Sequence, residues 1–461
     1  MKTKCLWAVF LIAMTLPMEA QPVSREEALE NARAFMEPKG CKFQQELEQA
    51  RRRAGDQPLP YYIFHADGQK GFAIVSGEES APAIIGYSET GTIDEANMPP
   101  ALQAWLERYA RQVTYVQKNG ITLNNSTIAN LGSPITTVSA KYDQSYPYNI
   151  DCPQVEAFSD EKCMVPYVKD GKTVEKTVSA VGCMATALAI LMRHHKYPQS
   201  TTAEIPARMN HSYRTADNST VIYERFDDPA IPVTTFDWDN ILDDYTLRDG
   251  DGEIVPDVYG QPQTTGTDAQ KKAVAHLMRV VASAIGMQYG NPELGGSSTN
   301  GSAMMDGAKK YLHFPNVELH KESSYASSEQ FNQAVYDELK ASGLVFFSGV
   351  SSNAGHSFII DGYSSEDFFS VNWGWGGMCN GNYRMSNLEP LYEGQKLDNS
   401  GGFNDDLEFY SGLCPDSGTG ISSVRRNPDS NGQQKSYDLQ GREVDSGYRG
   451  IVIRNHRLVI N

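Results

Sequence analysis

The stretch SAVGCMATALAILMRHHKYP, residues 179–198, decides how the chain is read. Gly182 hands over to Cys183, and the alanine-rich apolar run behind it predicts a helix thin enough for other elements to pack closely on it. Pro198 limits how far that helix continues. A thiol at the mouth of a helix meets unsatisfied N–H groups and the positive end of the helix dipole, both of which favour a thiolate. Cys183 is therefore either a small buried hydrophobe, the commoner fate of a cysteine, or a nucleophile.

A thiolate needs a proton-handling partner, so the nine histidines have to be sorted. His194 and His195 follow Cys183 on the same helix by about three turns, too far to touch it. His65 falls in the N-terminal region and His456 in the tail, while His211, His276, His313 and His320 sit in polar or helical contexts. His356 differs. In SSNAGHSFIIDGY (351–363) it stands directly after Gly355 at the start of an apolar strand, where its ring can project from a strand end into a cleft. Alone such a histidine would be structural more often than catalytic; the pairing with Cys183 reverses that weighting. Downstream, FFSVNWGWGGMCNGNYRMS (368–386) runs a strand into a glycine-rich turn. Trp373 and Trp375 there supply flat apolar surface, either as a packed bulge or as a shield that keeps water from an ion pair.

The chain has 461 residues, 40% of them apolar, enough for two or three ordinary cores. Its formal charge of −17 excludes the basic footprint of nucleic-acid binding. Residues 1–20, MKTKCLWAVFLIAMTLPMEA, have the basic start, short apolar run and small-residue end of a secretory signal peptide. That run is too short to span a bilayer, and no later segment is long and apolar enough, so a secreted, periplasmic or cell-surface protein is expected. Six cysteines then remain: Cys41, Cys152, Cys163, Cys183, Cys379 and Cys414. Disulfides are permitted but no dense framework is, and Cys152 and Cys163 are close enough to close a small loop.

Beyond the signal, SREEALENARAFMEP opens with Ser24 and Glu27 in capping-box spacing, and Ala28, Leu29, Ala32, Phe35 and Met36 make one helical stripe. YYIFHA, GFAIVSG and APAIIGYSETG read as an antiparallel sheet, and PPALQAWLERYARQVTYVQK as a second helix. Residues 21–118 are thus expected to form a separate helix-plus-sheet unit. Residues 119–137 are polar, broken by Gly and Pro, and read as an exposed linker open to proteolysis. Residues 138–413 place helices first and strands later, which predicts an α+β domain with two lobes. Residues 414–461 read as a small β-rich tail.

GCMATALAILMRHHKYP, GHSFIIDGY and VNWGWGGMCNGNYRMS, in this order, resemble the motifs of the streptopain/interpain-like family of papain-fold cysteine peptidases. The likeness extends over most of residues 22–413, with GFAIVSGEESAPAIIGYS and MPPALQAWLERY similar to the family's inhibitory propeptide. The resemblance implies a papain-like two-lobed domain and a zymogen. It also implies endopeptidase activity on proteins and peptides, and a Cys/His dyad carried by Cys183 and His356 through an acyl-enzyme. It requires no metal or organic cofactor, and the chain's own propeptide serves as intramolecular inhibitor. The family's oxyanion-donating glutamine falls on Gln144 in KYDQSYPYNIDCP, beside the Cys183 backbone N–H. Papain-like enzymes orient the histidine with an asparagine two residues before a tryptophan; here Trp373 takes that place and Asn372 is one residue earlier. A one-residue offset on a strand turns a side chain to the opposite face. Trp373 packing, with or without a backbone carbonyl, is therefore expected from the resemblance to hold the His356 ring, with Asn372 a second candidate and Trp375 a shield. The tail segments YDLQGREV and GIVIRN resemble C-terminal segments of secreted Bacteroidetes-type proteins, either a sorting element or a plain β appendage.

Two rivals share these residues. Another papain-fold acyltransferase or amidase would use the same thiolate and oxyanion donor, and a catalytically silent binding homologue would keep the fold. Three further patterns are set aside. LRDGDGEIVPD (247–257) lacks an acidic residue at the twelfth position of a calcium loop and reads as a solvated acidic turn. ELGGSSTNGS (293–302) lacks the Lys-Ser/Thr ending of a phosphate loop and reads as a mobile loop rimming the cleft. His194 and His195 lack further ligands at zinc spacing.

Overall fold

The computed structural model describes residues 21–46, 58–120, 130–216, 220–250, 252, 254–258, 262–350, 355–364, 368–384, 391–392, 395–396, 407–415, 436–437, 443–444, 451–454 and 457–460. The expected signal segment 1–20, Cys5, His456 and residues 121–129 of the expected linker lie outside them. Residues up to Pro415 cluster into one compact unit, and the tail from Asp416 forms another.

The N-terminal region follows its sequence pattern. Helix α1 (Arg25–Met36) starts where the Ser24 side chain accepts the Glu27 N–H, and it buries Ala28, Leu29, Ala32 and Met36. Strands β1 (Tyr61–His65), β2 (Phe72–Ser76) and β3 (Ile84–Ser88) pair antiparallel, and helix α2 (Pro100–Asn119) buries Leu102, Leu106, Tyr109, Val113 and Val116. Strand β4 (Ile135–Thr136) comes next. A second sheet is built from β5 (Gln154–Asp160), β6 (Val165–Pro166), β9 (Thr177–Val178), β10 (Arg208–Ala216) and β11 (Thr220–Asp228), with the small hairpin β7 (Val168–Lys169) and β8 (Lys172–Thr173) beside it in sequence.

Helices α3 (Cys183–His195), α4 (Asp268–Ala284) and α5 (Gly301–Tyr311) form the helical lobe. Every residue of α3 from Ala185 to Met192 is buried, as its sequence predicts. Each large apolar side chain so buried contributes about 1.5–3 kcal/mol, while the alanines let neighbours approach. Helix α4 begins with a complete capping box at Thr267 and Gln270. The sheet lobe follows: β12 (Glu318–Lys321), helix α6 (Ser328–Ser342), β13 (Val345–Val350), β14 (Gly355–Tyr363), β15 (Phe369–Asn372), β16 (Gly381–Tyr383), the hairpin β17 (Leu391–Tyr392) and β18 (Gln395–Lys396), and β19 (Leu407–Ser411). The tail unit contains β20 (Ser436–Tyr437), β21 (Glu443–Val444), β22 (Ile451–Arg454) and β23 (Arg457–Ile460), in the order β21-β20-β22-β23. The result is the expected α+β fold with antiparallel sheets.

One expectation changes. The N-terminal sheet is not self-contained: among the described residues one ten-stranded sheet runs β1-β2-β3-β16-β15-β14-β13-β19-β12, with β4 paired to β14. The junction places Tyr87 opposite Asn382 and Gly86 opposite Tyr383. Gly86 permits it, since a Cβ there would lie 2.8 Å from Tyr383 Cδ1. Pairing satisfies the edges of both sheets, a demand that no single strand's alternation pattern reveals.

Candidate active site

Gly182 precedes α3 with φ 94° and ψ 136°. A side chain there would be strained by its backbone, and its Cβ would sit 2.7 Å from both Cε and Sδ of Met287 and 3.2 Å from the Ser297 carbonyl oxygen. The Gly182 carbonyl accepts from the Thr186 N–H at 3.0 Å and from the Thr186 hydroxyl at 3.1 Å, which closes the first turn. Cys183 is half-buried. Burial pushes its thiol up, while the backbone N–H groups of Ser357, Met184 and Cys183 itself oppose that rise by favouring the thiolate. The helix mouth therefore offers the anion-stabilising donors its sequence predicts, but desolvation outweighs them in this state.

The Ser357 contact brings in the second candidate, because His356 is its neighbour on β14. His356 lies opposite Gly349 of β13, at the start of the strand that packs along α3. Burial pushes its imidazole below the ordinary value, with no charged partner among the described residues. A raised thiol and a lowered imidazole both point to neutral groups near pH 7.

Gln144 reaches the same place through its backbone: its carbonyl accepts from the Val181 N–H at 3.0 Å, two residues before Cys183. The Asp143 carboxylate accepts from the N–H groups of Gln144 at 2.6 Å and Ser145 at 2.8 Å, which shapes this loop. Burial raises the Asp143 carboxyl.

The tryptophan turn lies against the other side. Trp373 is 2% exposed, and its indole N–H donates to the Cys379 carbonyl at 3.0 Å. Its ring packs on Phe358, 4.8 Å between centroids, and on Tyr383 at 5.1 Å. Phe358 follows His356 by two on one strand, so both side chains share a face. Gly374 approaches α3, where a Cβ would be 3.4 Å from Thr186 Cγ2. Trp375 is half-buried.

Asn372 is fully buried and otherwise engaged. Its amide donates to Ser139 Oγ and the Ala140 carbonyl, each at 2.8 Å, and its Oδ1 accepts from the Gly374 N–H at 3.1 Å. Ser139 and Ser370 each donate to the Asp361 carboxylate at 2.6 Å, and burial raises that carboxyl. Sequence reasoning did not find this Ser139–Asp361–Ser370–Asn372 network. The only signal was polar residues inside apolar strands, and Ser139 is more than two hundred residues from its partners.

Loop 293–302, expected as a mobile rim, is exposed at Glu293, Gly295, Ser298 and Asn300 but tied down at its centre. Ser297 is buried, its Oγ accepts from the Gly290 N–H at 3.0 Å and donates to the Ala180 carbonyl at 2.5 Å, and Gln288 pairs with Ser298. These bonds anchor the loop to the chain leading into Cys183. Among the described residues, His276 meets the Thr234 hydroxyl, His320 lies between Tyr325 and Ser411, and His194 and His195 pack edge-on to each other. Cys41, Cys152, Cys163, Cys183, Cys379 and Cys414 are free thiols, with Cys152 buried and Cys163 exposed. Among the described residues no cluster of three or more His, Cys, Asp or Glu side chains suits a metal ion, and no helix is long and apolar enough to cross a membrane.

Comparison with known proteins agrees with this arrangement. A sequence model of the Peptidase C10 family matches residues 142–383, which include Cys183, His356, Gln144 and the tryptophan turn. A model described as Spi protease inhibitor matches residues 20–113. Streptopain of Streptococcus pyogenes is 30% identical over 357 residues, covering 75% of this chain and 78% of streptopain. The thiol protease/hemagglutinin PrtT of Porphyromonas gingivalis is 24% identical over 432 residues, covering 89% of this chain but 44% of PrtT. Among solved structures, a fragment of Prevotella intermedia prointerpain A superposes with a TM-score of 0.55 at 26% identity, covering 78% of this chain and 97% of the fragment. The chain belongs to the Peptidase C10 family and is a cysteine endopeptidase made as a zymogen, with an inhibitor-type region ahead of its peptidase domain.

Proposed function

We propose that Cys183 is the nucleophile and His356 its proton-transfer partner. The observation that carries this reading is the packing of α3, which opens at Cys183, along β14, which carries His356 at its start. In the active form the thiolate attacks a peptide carbonyl, and His356 protonates the departing amine. Water, deprotonated by His356, then releases the acyl group. The Gln144 amide and the Cys183 N–H stabilise the tetrahedral oxyanion. Trp373, packed on Phe358, restrains the His356 ring, and Trp375 shields the pair from water. The network holding Asn372 favours a structural role for that residue.

The region 21–118 acts as the intramolecular inhibitor. It continues the sheet at β16, and the Trp105 ring stands edge-on to Tyr383 at 5.6 Å, the ring on which Trp373 also packs. Arg108 of α2 pairs with Glu322 of the peptidase lobe at 3.6 Å, and both side chains are mostly buried. By fixing the tryptophan turn, this region keeps the dyad in its neutral, unpaired state until the 119–137 linker is cut. Residues 1–20 direct export, and 414–461 form an appendage outside the peptidase domain 138–413. Replacing Cys183 with Ala tests the assignment: peptide hydrolysis and self-processing should vanish while the precursor stays folded. Processing by the purified variant at the parent rate would remove Cys183 from the mechanism.

A further inference from the structure

We infer that Arg248 is a positioning residue for peptide hydrolysis, clamping the glycine turn 374–377 to the loop that carries Gln144. The inference rests on the roles proposed above for Cys183 and Gln144. Its starting point is the acidic turn around residues 243–252, which has no calcium-loop spacing and no part in the dyad.

This turn is fixed to the Gln144 loop by its backbone. The Lys141 N–H donates to the Asp243 carbonyl at 2.7 Å, and the Tyr142 hydroxyl donates to the Leu242 carbonyl at 3.0 Å. From that base the Arg248 guanidinium spreads to three acceptors. Its Nε donates to Asp244 Oδ2 at 2.6 Å, Nη1 to the Gly252 carbonyl at 3.2 Å, and Nη2 to the Gly376 carbonyl at 2.5 Å. The Gly376 N–H in turn donates to the Tyr142 carbonyl at 2.9 Å. Gly376 is thus held on both its polar groups, one by the residue two before Gln144 and one by Arg248.

Three acceptors in separate directions suit the planar fork of a guanidinium, and a lysine ammonium cannot reproduce that geometry. The Arg248 side chain is 17% exposed, so these charge-assisted bonds are partly shielded from water. The turn has also left room for it: a Cβ on Gly377 would lie 2.8 Å from Arg248 Nη2 and 2.9 Å from Lys141 Cδ. Asp244 therefore serves the arginine. The consequence falls on spacing, because Gln144 and the tryptophans lie within three residues of the clamped atoms on opposite sides of the contact. An oxyanion donor acts only near hydrogen-bond distance from the developing charge, and misplacement by about 1 Å costs up to about a hundredfold in rate.

The test compares the proteolytically matured parent enzyme with the Arg248→Lys, Arg248→Met and Gly377→Ala variants. The last displaces the guanidinium without removing it. Each variant should lose about tenfold or more in kcat while KM stays within about threefold, because the contact acts on oxyanion geometry rather than on substrate binding. The rate and pH profile of Cys183 alkylation by iodoacetamide should match the parent, since the thiol and His356 are untouched. Parent-like kcat in Arg248→Lys and Arg248→Met overturns the inference. So does a loss of kcat matched by an equal loss of alkylation or of folded protein, which marks a merely structural residue; if Arg248→Met does not fold, Arg248→Lys and Gly377→Ala decide. Failure of the underlying assignment looks different: alkylation of Cys183 in the parent would leave its activity intact.

Discussion

In the intact precursor, alkylation of Cys183 should climb steeply with pH through neutrality, and release of the propeptide should flatten that climb. Burial raises the Cys183 thiol above its ordinary value, and burial lowers His356 below its own. A histidine with a lowered pKa is neutral at pH 7, so it provides no cation to hold a thiolate. Between pH 6 and pH 8 the thiolate fraction of such a cysteine grows about tenfold per unit, which makes the alkylation rate rise about 100-fold. Once the propeptide leaves and the imidazolium pairs with the thiolate, ionisation is complete across that window and the rate should vary by less than about threefold. Short pulses of iodoacetamide at pH 6, 7 and 8 would be quenched and the intact and matured chains separated. The modified Cys183 peptide is then quantified by mass spectrometry, with exposed Cys163 as an ordinary thiol in the same chain. A flat profile in the precursor would refute the reasoning. The thiolate would then already exist, and the propeptide would have to inhibit by covering the cleft alone.

Gly182→Ala should destabilise the folded precursor by about 2 kcal/mol or more, since both the positive φ and the Met287 and Ser297 contacts oppose a side chain. Urea unfolding checks this, and pairing it with Met287→Ala should recover only the steric part. Arg108→Met should speed maturation of the purified precursor, because it leaves mostly buried Glu322 without its propeptide cation, a change that costs about 3 kcal/mol when an ion pair is buried. Processing no faster than in the parent would show that the sheet junction at β16, rather than this ion pair, holds the propeptide.

Much of the candidate site's local structure was legible because its parts are local. Gly182-Cys183 before an apolar run is a helix mouth within one turn, and Gly355-His356 is a strand start within two residues. The anchoring of loop 293–302 was missed because Ser297 and Ala180 are more than a hundred residues apart. The acidic turn is solvated at Asp249 and Asp257, as expected, but the Arg248 contact was missed for the same reason: its partner Gly376 is supplied by another element. Asn372 was left as a candidate orienter since strand parity constrains which way a side chain points but does not name what waits there.

By itself the sequence determined the N-terminal helices and strands, the buried helix behind Cys183 and the strand behind His356, because helix periodicity, strand alternation and capping act over a few residues. Only the tertiary structure decided that the N-terminal strands extend the peptidase sheet through Gly86 and Tyr383, and that Asn372 is spent on Ser139 and Ala140. It also decided that thiol and imidazole are both biased toward neutrality. Edge pairing, buried hydrogen-bond partners and desolvation all depend on which distant residues share a place, and no local pattern contains that information.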